Sequence, residues 1–282
     1  MPRPLLKWVG GKQSMLKHLK PLLPERWNVW HEPFVGAGGM LFGCAPEKAR
    51  VNDSNWMLVN FHRQVKERPE ELREEAFRLG DWEGCTEEMF IERRRQFNRM
   101  LSEREESSSS AAMMYWVVRH SFNGLYRVNS KGLFNAPWNR NMARGMLKPL
   151  EDFLACSAVL KNADIFCGDF ETFLEPVEEG DFVFLDPPYI PDLMGGSFVS
   201  YAKEGFQRED HERTARLARE LADKGAFVMA TNNDTPWTRE LYEGFSFFEY
   251  GTAAGIKSGR ERKELAMTSY VPKGLDTLDK FC

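Results

Sequence analysis

Short apolar runs punctuate both ends of the chain, each closed by an acid or a turn residue. Such a run, about four to eight residues long, is the pattern of a strand buried on both faces. "FVFL" at 182–185 meets Asp186 and then two prolines, which cannot extend a hydrogen-bond ladder, so this strand must end at the acid. "VWHE" at 29–32 predicts a strand delivered into the glycine turn of "PFVGAGG", with a helix following through Met40 and Leu41. "ARVND" predicts a second strand ending at Asp53, then a helix on which Trp56, Val59 and Val65 keep partial helical spacing. Residues 67–79 and 86–101 are charged and amphipathic, predicting two further helices, and the polar "EREESSSSAAMM" at 103–114 predicts a flexible connection at a boundary.

Strand and helix alternate again after residue 150. "ADIFCGDF" and "AFVMATNND" predict strands on either side of "DFVFLDPPY", and "REDHERTARLARELADKG" predicts a helix closed by Gly225. The last segment, "GFSFFEYGTAAGIKSGRERKELAMTSYVP", predicts two strands around a basic loop, a hairpin added to the sheet edge. The fold class is therefore α/β, a doubly wound sheet built from both ends of the chain. The expected division is 1–57 with 160–282 as one domain and 58–159 as a mainly helical insertion.

Composition changes this picture only slightly. With 282 residues, 42% of them hydrophobic, the chain can fill the core of one large domain or of one domain carrying a second. No run approaches the length of a membrane span, and "MPRPLLKWVGGK" lacks the apolar core of a secretion signal, so a cytoplasmic address is expected. Five cysteines form no CxxC pair and five histidines are scattered, which predicts neither a zinc site nor a disulfide framework.

Charge is more informative. The net value of −4 argues against a nucleic-acid partner, yet residues 111–150 carry six Lys or Arg and no acid, residues 1–24 carry five and no acid, and residues 67–106 carry 13 acids. That segregation predicts one face that meets phosphate and another that is merely solvated, although chance clustering gives the same counts.

Three features carry chemistry. A GxG turn between strand and helix lets backbone approach a ligand, but such turns also serve packing alone. Asp53, 15 residues after Gly38 at the end of the next strand, adds an acceptor for both hydroxyls of a ribose. With no pyrophosphate signature the implied ligand is a nucleoside without a diphosphate, a description that S-adenosylmethionine fits. Asp186 and the Pro187 carbonyl can each accept one N–H of an exocyclic amine, freeing a lone pair that is otherwise delocalised into the base. Tyr189 offers a stacking face. A base held there must first leave its duplex. A strand-ending Asp-Pro-Pro turn can equally be structural.

Together, "LKWVGGK", "EPFVGAGG", "VNDSNWMLVN", "HSFNGLYRVNSKGLFNAPWNR", "CGDF", "LDPPY" and "ATNNDTPWTRELY" follow the order seen in the Dam family of DNA adenine-N6 methyltransferases. The chain resembles that family from residue 5 to about residue 270, and in particular its members that methylate adenine in GATC. The resemblance implies a Rossmann-like methyltransferase sheet with a terminal β-hairpin and an inserted DNA-recognition domain that carries its own β-hairpin. It implies S-adenosylmethionine held by Trp8, Lys12, Phe34, Gly36, Gly38, Asp53, Asp169, Phe170 and Asp186, with Asp186, Pro187, Pro188 and Tyr189 catalytic. Duplex DNA would be met by Arg119, Phe122, Asn123, Leu125, Arg127, Asn135, Pro137 and Arg140, and by Lys257 and Arg260 of the terminal loop. Within that set Phe122 would insert beside the everted base, while Leu125, Arg127 and Pro137 would read the outer base pair.

Two departures stand out. Phe122 replaces the tyrosine that commonly precedes the recognition asparagine, and the terminal loop carries Ala253 and Ala254 in place of polar residues. The resemblance further implies a bacterial or phage-infected cell, with the enzyme on the nucleoid, and calls for no protein partner. An RNA amine methyltransferase with the same catalytic turn, or a DNA-binding regulator with a vestigial cofactor site, remain the competing readings.

Overall fold

A computed structural model describes residues 1–140, 147–190, 206–252 and 262–273. In chain order it contains α1 (Leu16–Leu19), β1 (Trp30–Glu32), α2 (Gly39–Cys44), β2 (Ala49–Asp53), α3 (Trp56–Glu67), α4 (Pro69–Arg78), α5 (Glu87–Glu103), α6 (Ser108–His120) and α7 (Leu150–Leu160). Then follow β3 (Ala163–Cys167), α8 (Phe170–Leu174), β4 (Phe182–Leu185), α9 (Arg208–Asp223), β5 (Phe227–Asn233), α10 (Pro236–Leu241), β6 (Ser246–Thr252) and β7 (Arg262–Thr268). The strands form one sheet in the order β3-β2-β1-β4-β5-β7-β6. β2, β1, β4 and β5 run parallel, and β7 pairs antiparallel with both β5 and β6. This is the Rossmann-like α/β sheet with a terminal hairpin that the alternation predicted. Its strand order reverses between β1 and β4, and in such sheets ligands bind beyond the carboxyl ends of the strands at that reversal.

The chain divides into two compact units. One comprises Met1–Gln13, Val35–Glu47 and Asn52–Gly168; the other comprises Ser14–Phe34, Lys48–Val51 and Asp169–Cys282.

In the first unit α6 is the central element, and here the sequence expectation fails. Residues 103–114 are no flexible connection: Ser107 caps a helix, its hydroxyl accepting from the Ser110 amide while Ser110 Oγ accepts from the Ser107 amide. Serines disfavoured in helix interiors are favoured at this end because they satisfy its orphan amides. From Ala111 to Val118 every residue of α6 is buried, so the helix is apolar all round and shows no amphipathic stripe. Trp116 at its centre donates from Nε1 to the Gly80 carbonyl at 2.8 Å.

In the second unit the centre is aromatic. Trp30 of β1 is fully buried, its ring 4.7 Å from Phe182 of β4, and its Nε1 donates to the buried Glu32 carboxylate at 3.1 Å. Behind it His31 Nε2 meets Asp181 Oδ2 at 2.8 Å. α9 packs its Leu217 and Leu221 face against β4 and β5 and stops at Gly225, whose φ of +90° is the left-handed cap conformation. Among the described residues no helix is long and apolar enough to cross a membrane.

Burial lowers the pKa of His31, His62, His120 and His211, the last to about 4. Each is therefore neutral in the folded chain but protonates near pH 6.5, roughly, once unfolded. Their contribution to stability is complete above that pH and is lost as pH falls through the folded values. Urea midpoints are expected to decline from pH 7 toward pH 4, and His211→Gln, which removes the ring lodged 4.8 Å from Phe206, should flatten the slope. A midpoint independent of pH over that span contradicts the assignment.

Candidate active site

Within the first unit, the residue that ends β2 organises a small cluster. Asp53 accepts from the Gly36 amide through Oδ2 at 3.1 Å and from the Asn55 amide through Oδ1 at 2.9 Å. Desolvation raises its pKa, the two amides opposing that rise. A carboxylate has about four acceptor positions, so two remain for hydroxyl donors. Asn55 in turn caps α3, accepting from the amides of Met57 and Leu58 at 3.2 Å. The glycine loop packs closely under two of the chain's own aromatic rings. Gly36 has φ +50°, and a Cβ there would lie 3.1 Å from Trp8 Cδ1; at Gly38, φ +78°, a Cβ would lie 2.8 Å from the Phe42 ring. His62 Nε2 donates to the Gly36 carbonyl at 2.7 Å and fixes the turn from beneath. Trp8 stacks on Tyr126 with ring centroids 5.1 Å apart, and Lys12 is buried, its Nζ donating to the Gly10 carbonyl at 2.8 Å.

The same unit holds the described part of the basic segment. Its expected β-hairpin is reduced to two isolated antiparallel bridges, Ser121 with Trp138 and Val128 with Phe134. Asn98 of α5 explains how so little ladder suffices: its side chain accepts from the Phe134 amide at 2.7 Å and donates to the Phe134 carbonyl at 3.1 Å. With Phe134 anchored inward, Phe122 is left 49% exposed, beside Asn123 at φ +57°. Asparagine adopts this left-handed conformation readily, and here it turns the chain sharply after Phe122. The Phe122 amide donates to the Pro137 carbonyl at 2.8 Å, bringing those two positions together. Arg127 is exposed and uses part of its fork on Asn135, donating to Oδ1 at 2.8 Å and to the carbonyl at 2.9 Å. Leu125 is half-buried, Arg140 is exposed, and Arg119 lies on α6 with its guanidinium 5.8 Å above the Tyr115 ring. Lys257 and Arg260 lie outside the described residues, as do Ala253 and Ala254.

Within the second unit, four residues of β5 and β7 grip the turn after β4. Thr231 donates to Asp186 Oδ1 at 2.7 Å. The Ile190 amide donates to Asn232 Oδ1 at 3.0 Å, Asn233 Nδ2 donates to the Ile190 carbonyl at 2.7 Å, and the Tyr189 hydroxyl donates to Glu264 Oε2 at 2.8 Å. Pro187 is buried and Pro188 exposed. Burial, and then the negative charges of Asp186 and Glu264, push the Tyr189 phenol far above its ordinary pKa, so it remains a donor.

A second cluster gathers Phe34, Asp169 and Phe170. The Phe34 and Phe170 rings are 5.1 Å apart, and Asp169 caps α8 by accepting from the Glu171 amide at 2.9 Å. Arg213 of α9 holds both: its Nη2 donates to the two Asp169 oxygens at 3.0 and 3.1 Å, and its guanidinium lies 4.7 Å above the Phe170 ring. Sequence reasoning missed Thr231, Asn232, Asn233, Glu264 and Arg213 as supporting residues. "ATNND" was visible as a motif, but nothing local assigns its side chains to a turn some 40 residues earlier. Among the described residues no group of three or more His, Cys, Asp or Glu is gathered to hold a metal ion.

Residues 8–256 match the D12 class N6 adenine-specific DNA methyltransferases. The chain belongs to this family. It is thus an adenine-specific DNA methyltransferase of the D12 class. It is similar to the type II methyltransferase M1.LlaDCHI of Lactococcus lactis subsp. cremoris, with 36% identity over 95% of each chain. The DNA adenine methylase of Vibrio cholerae is 32% identical over 86% of this chain and 85% of its own, and that of Escherichia coli K12 is 29% identical over 86% and 84%.

Proposed function

We propose that this methyltransferase takes its methyl group from S-adenosylmethionine and delivers it to N6 of an adenine turned out of duplex DNA, with GATC as its site. The observation that carries the reading is the Asp186 carboxylate, held by Thr231 at the carboxyl end of β4 beside the sheet's reversal point. The cofactor residues fit a nucleoside. Asp53 has acceptor capacity left for a ribose, and Gly36 and Gly38 give the turn beside it the left-handed backbone it needs. When bound, S-adenosylmethionine supplies the electrophilic methyl on its sulfonium. Trp8, Lys12 and Phe34 are assigned to its remaining contacts, with Asp169 and Phe170 on its adenine.

The protein's own part is positional. Asp186 and the Pro187 carbonyl take the two amine hydrogens of the target, Tyr189 supports its ring, and Pro188 keeps the turn rigid. Asp186 need not be a strong base, because the nitrogen becomes acidic only after it has gained the methyl group. Residues 58–159 are proposed as the recognition region. Phe122 inserts into the duplex, Asn123, Asn135 and Arg119 line the contact, and Leu125, Arg127 and Pro137 read the outer base pair. Arg140, with Lys257 and Arg260, completes the basic contact. The names of the Vibrio and Escherichia relatives, DNA adenine methylase, support the target base, and the resemblance of residues 120–140 to GATC-reading enzymes supports the site. Action in the cytoplasm, on the DNA of a bacterial or phage-infected cell, follows from this reading.

Methyl transfer from labelled S-adenosylmethionine to a GATC duplex, a scrambled duplex and RNA tests it. Label confined to the GATC duplex is expected; label chiefly in RNA, or in none, contradicts it. Arg127→Ala should relax discrimination at the outer base pair by about 1–3 kcal/mol, since a guanidinium fork pairs with both guanine acceptors. An unchanged profile across substituted sites rejects that role.

A further inference from the structure

We propose that Glu264 of β7 is a positioning residue for methyl transfer: it fixes the ring of Tyr189 and so sets the face on which the target base rests. This rests on the reading of Tyr189 as a stacking platform. The bond from the Tyr189 hydroxyl to Glu264 Oε2, 2.8 Å long, joins residues 75 apart in the chain. A bond at the tip of a tyrosine does two things. It fixes where the ring's long axis points and, because a phenolic O–H lies in the plane of its ring, a fixed acceptor also selects the ring's rotation about that axis.

The other end of the axis is fixed as well. The next residue, Ile190, is tied through its amide to Asn232 and through its carbonyl to Asn233. Glu264 itself is a firm post, since β7 is an interior strand on which Glu264 pairs with Asn233 of β5 on one side and Tyr250 of β6 on the other. A hydrogen bond to an ionised acceptor is roughly twice as strong as one between neutral groups, which suits a carboxylate to this task. The turn and the terminal hairpin are thereby one mechanical piece. Thr231 and Asn232 grip the turn from β5, and Glu264 grips it from β7.

The test uses the full-length protein with a GATC duplex carrying 2-aminopurine at the target position for fluorescence and adenine there for turnover. E264A and Y189F should each lower kcat about tenfold with the KM for cofactor unchanged, and E264Q, which keeps an acceptor oxygen, should recover most of the loss. Because both changes delete the same bond, the E264A/Y189F double variant should be no slower than either single one. Quenching of 2-aminopurine emission should weaken in E264A and return in E264Q. Additive losses, or a lowered Tm with kcat intact, overturn the proposal. Y189A separates the two levels. If it turns over at the wild-type rate, Tyr189 is no platform and the inference falls with that reading; if it is slow while Y189F and E264A are not, the platform stands and Glu264 has no part in it.

Discussion

Asp186→Ala is expected to lose methyl transfer by about 10²–10³-fold or more while duplex affinity stays near wild type. The carboxylate's bond to the amine strengthens as the nitrogen gains positive charge, so its removal takes away an interaction that matters more in the transition state than in binding. One oxygen is held by Thr231 at 2.7 Å, which fixes the group's direction before substrate arrives. Asp186→Asn should fare little better: its carbonyl can still accept from Thr231, but its NH2 then presents donors to an amine that needs acceptors. Single-turnover rates with saturating cofactor, set beside fluorescence anisotropy of a labelled duplex, separate chemistry from binding. Turnover within about tenfold of wild type would refute the role.

Trp116→Ala should cost about 3–5 kcal/mol of folding stability, the range for deleting a large buried aromatic. The ring is fully buried, stacks on His120 at 3.8 Å and lies 6.4 Å from Phe90. Its loss also leaves the Gly80 carbonyl without the indole donor that meets it at 2.8 Å. The consequence reaches the proposed DNA face, because α6 runs directly into Ser121 and Phe122. Weaker duplex binding should accompany the lower urea midpoint. A loss below about 1 kcal/mol would mean that α6 is not the centre of its unit.

That helix marks where the sequence stopped being legible. Strand tips at Glu32, Asp53 and Leu185 could be read because a short strand-like run meeting an acid, glycine or proline is a local signal. α9 was readable for the same reason, with two leucines four apart and a glycine beyond. α6 has no polar face to set a period, and its serines look like a linker unless their capping geometry is known. The recognition segment was readable as charge but not as shape: Asn98, which holds Phe134 from α5, is 36 residues away.

The site divides in the same way. Asp53 and Asp186 announce themselves by standing at strand ends. Their supports do not, since Thr231 is 45 residues from Asp186, Glu264 is 75 from Tyr189 and Arg213 is 44 from Asp169. Those partners are brought in by strand order and by the packing of α9 on the sheet, which no short window contains.

The most direct measurement is a crystal structure of the protein with a GATC duplex and a non-reactive cofactor analogue. It should show the adenine out of the helix on Tyr189, its N6 within hydrogen-bond distance of both the Asp186 carboxylate and the Pro187 carbonyl, and facing the donor's sulfur. An adenine still stacked in the duplex, or a position 186 turned away from N6, would contradict the account.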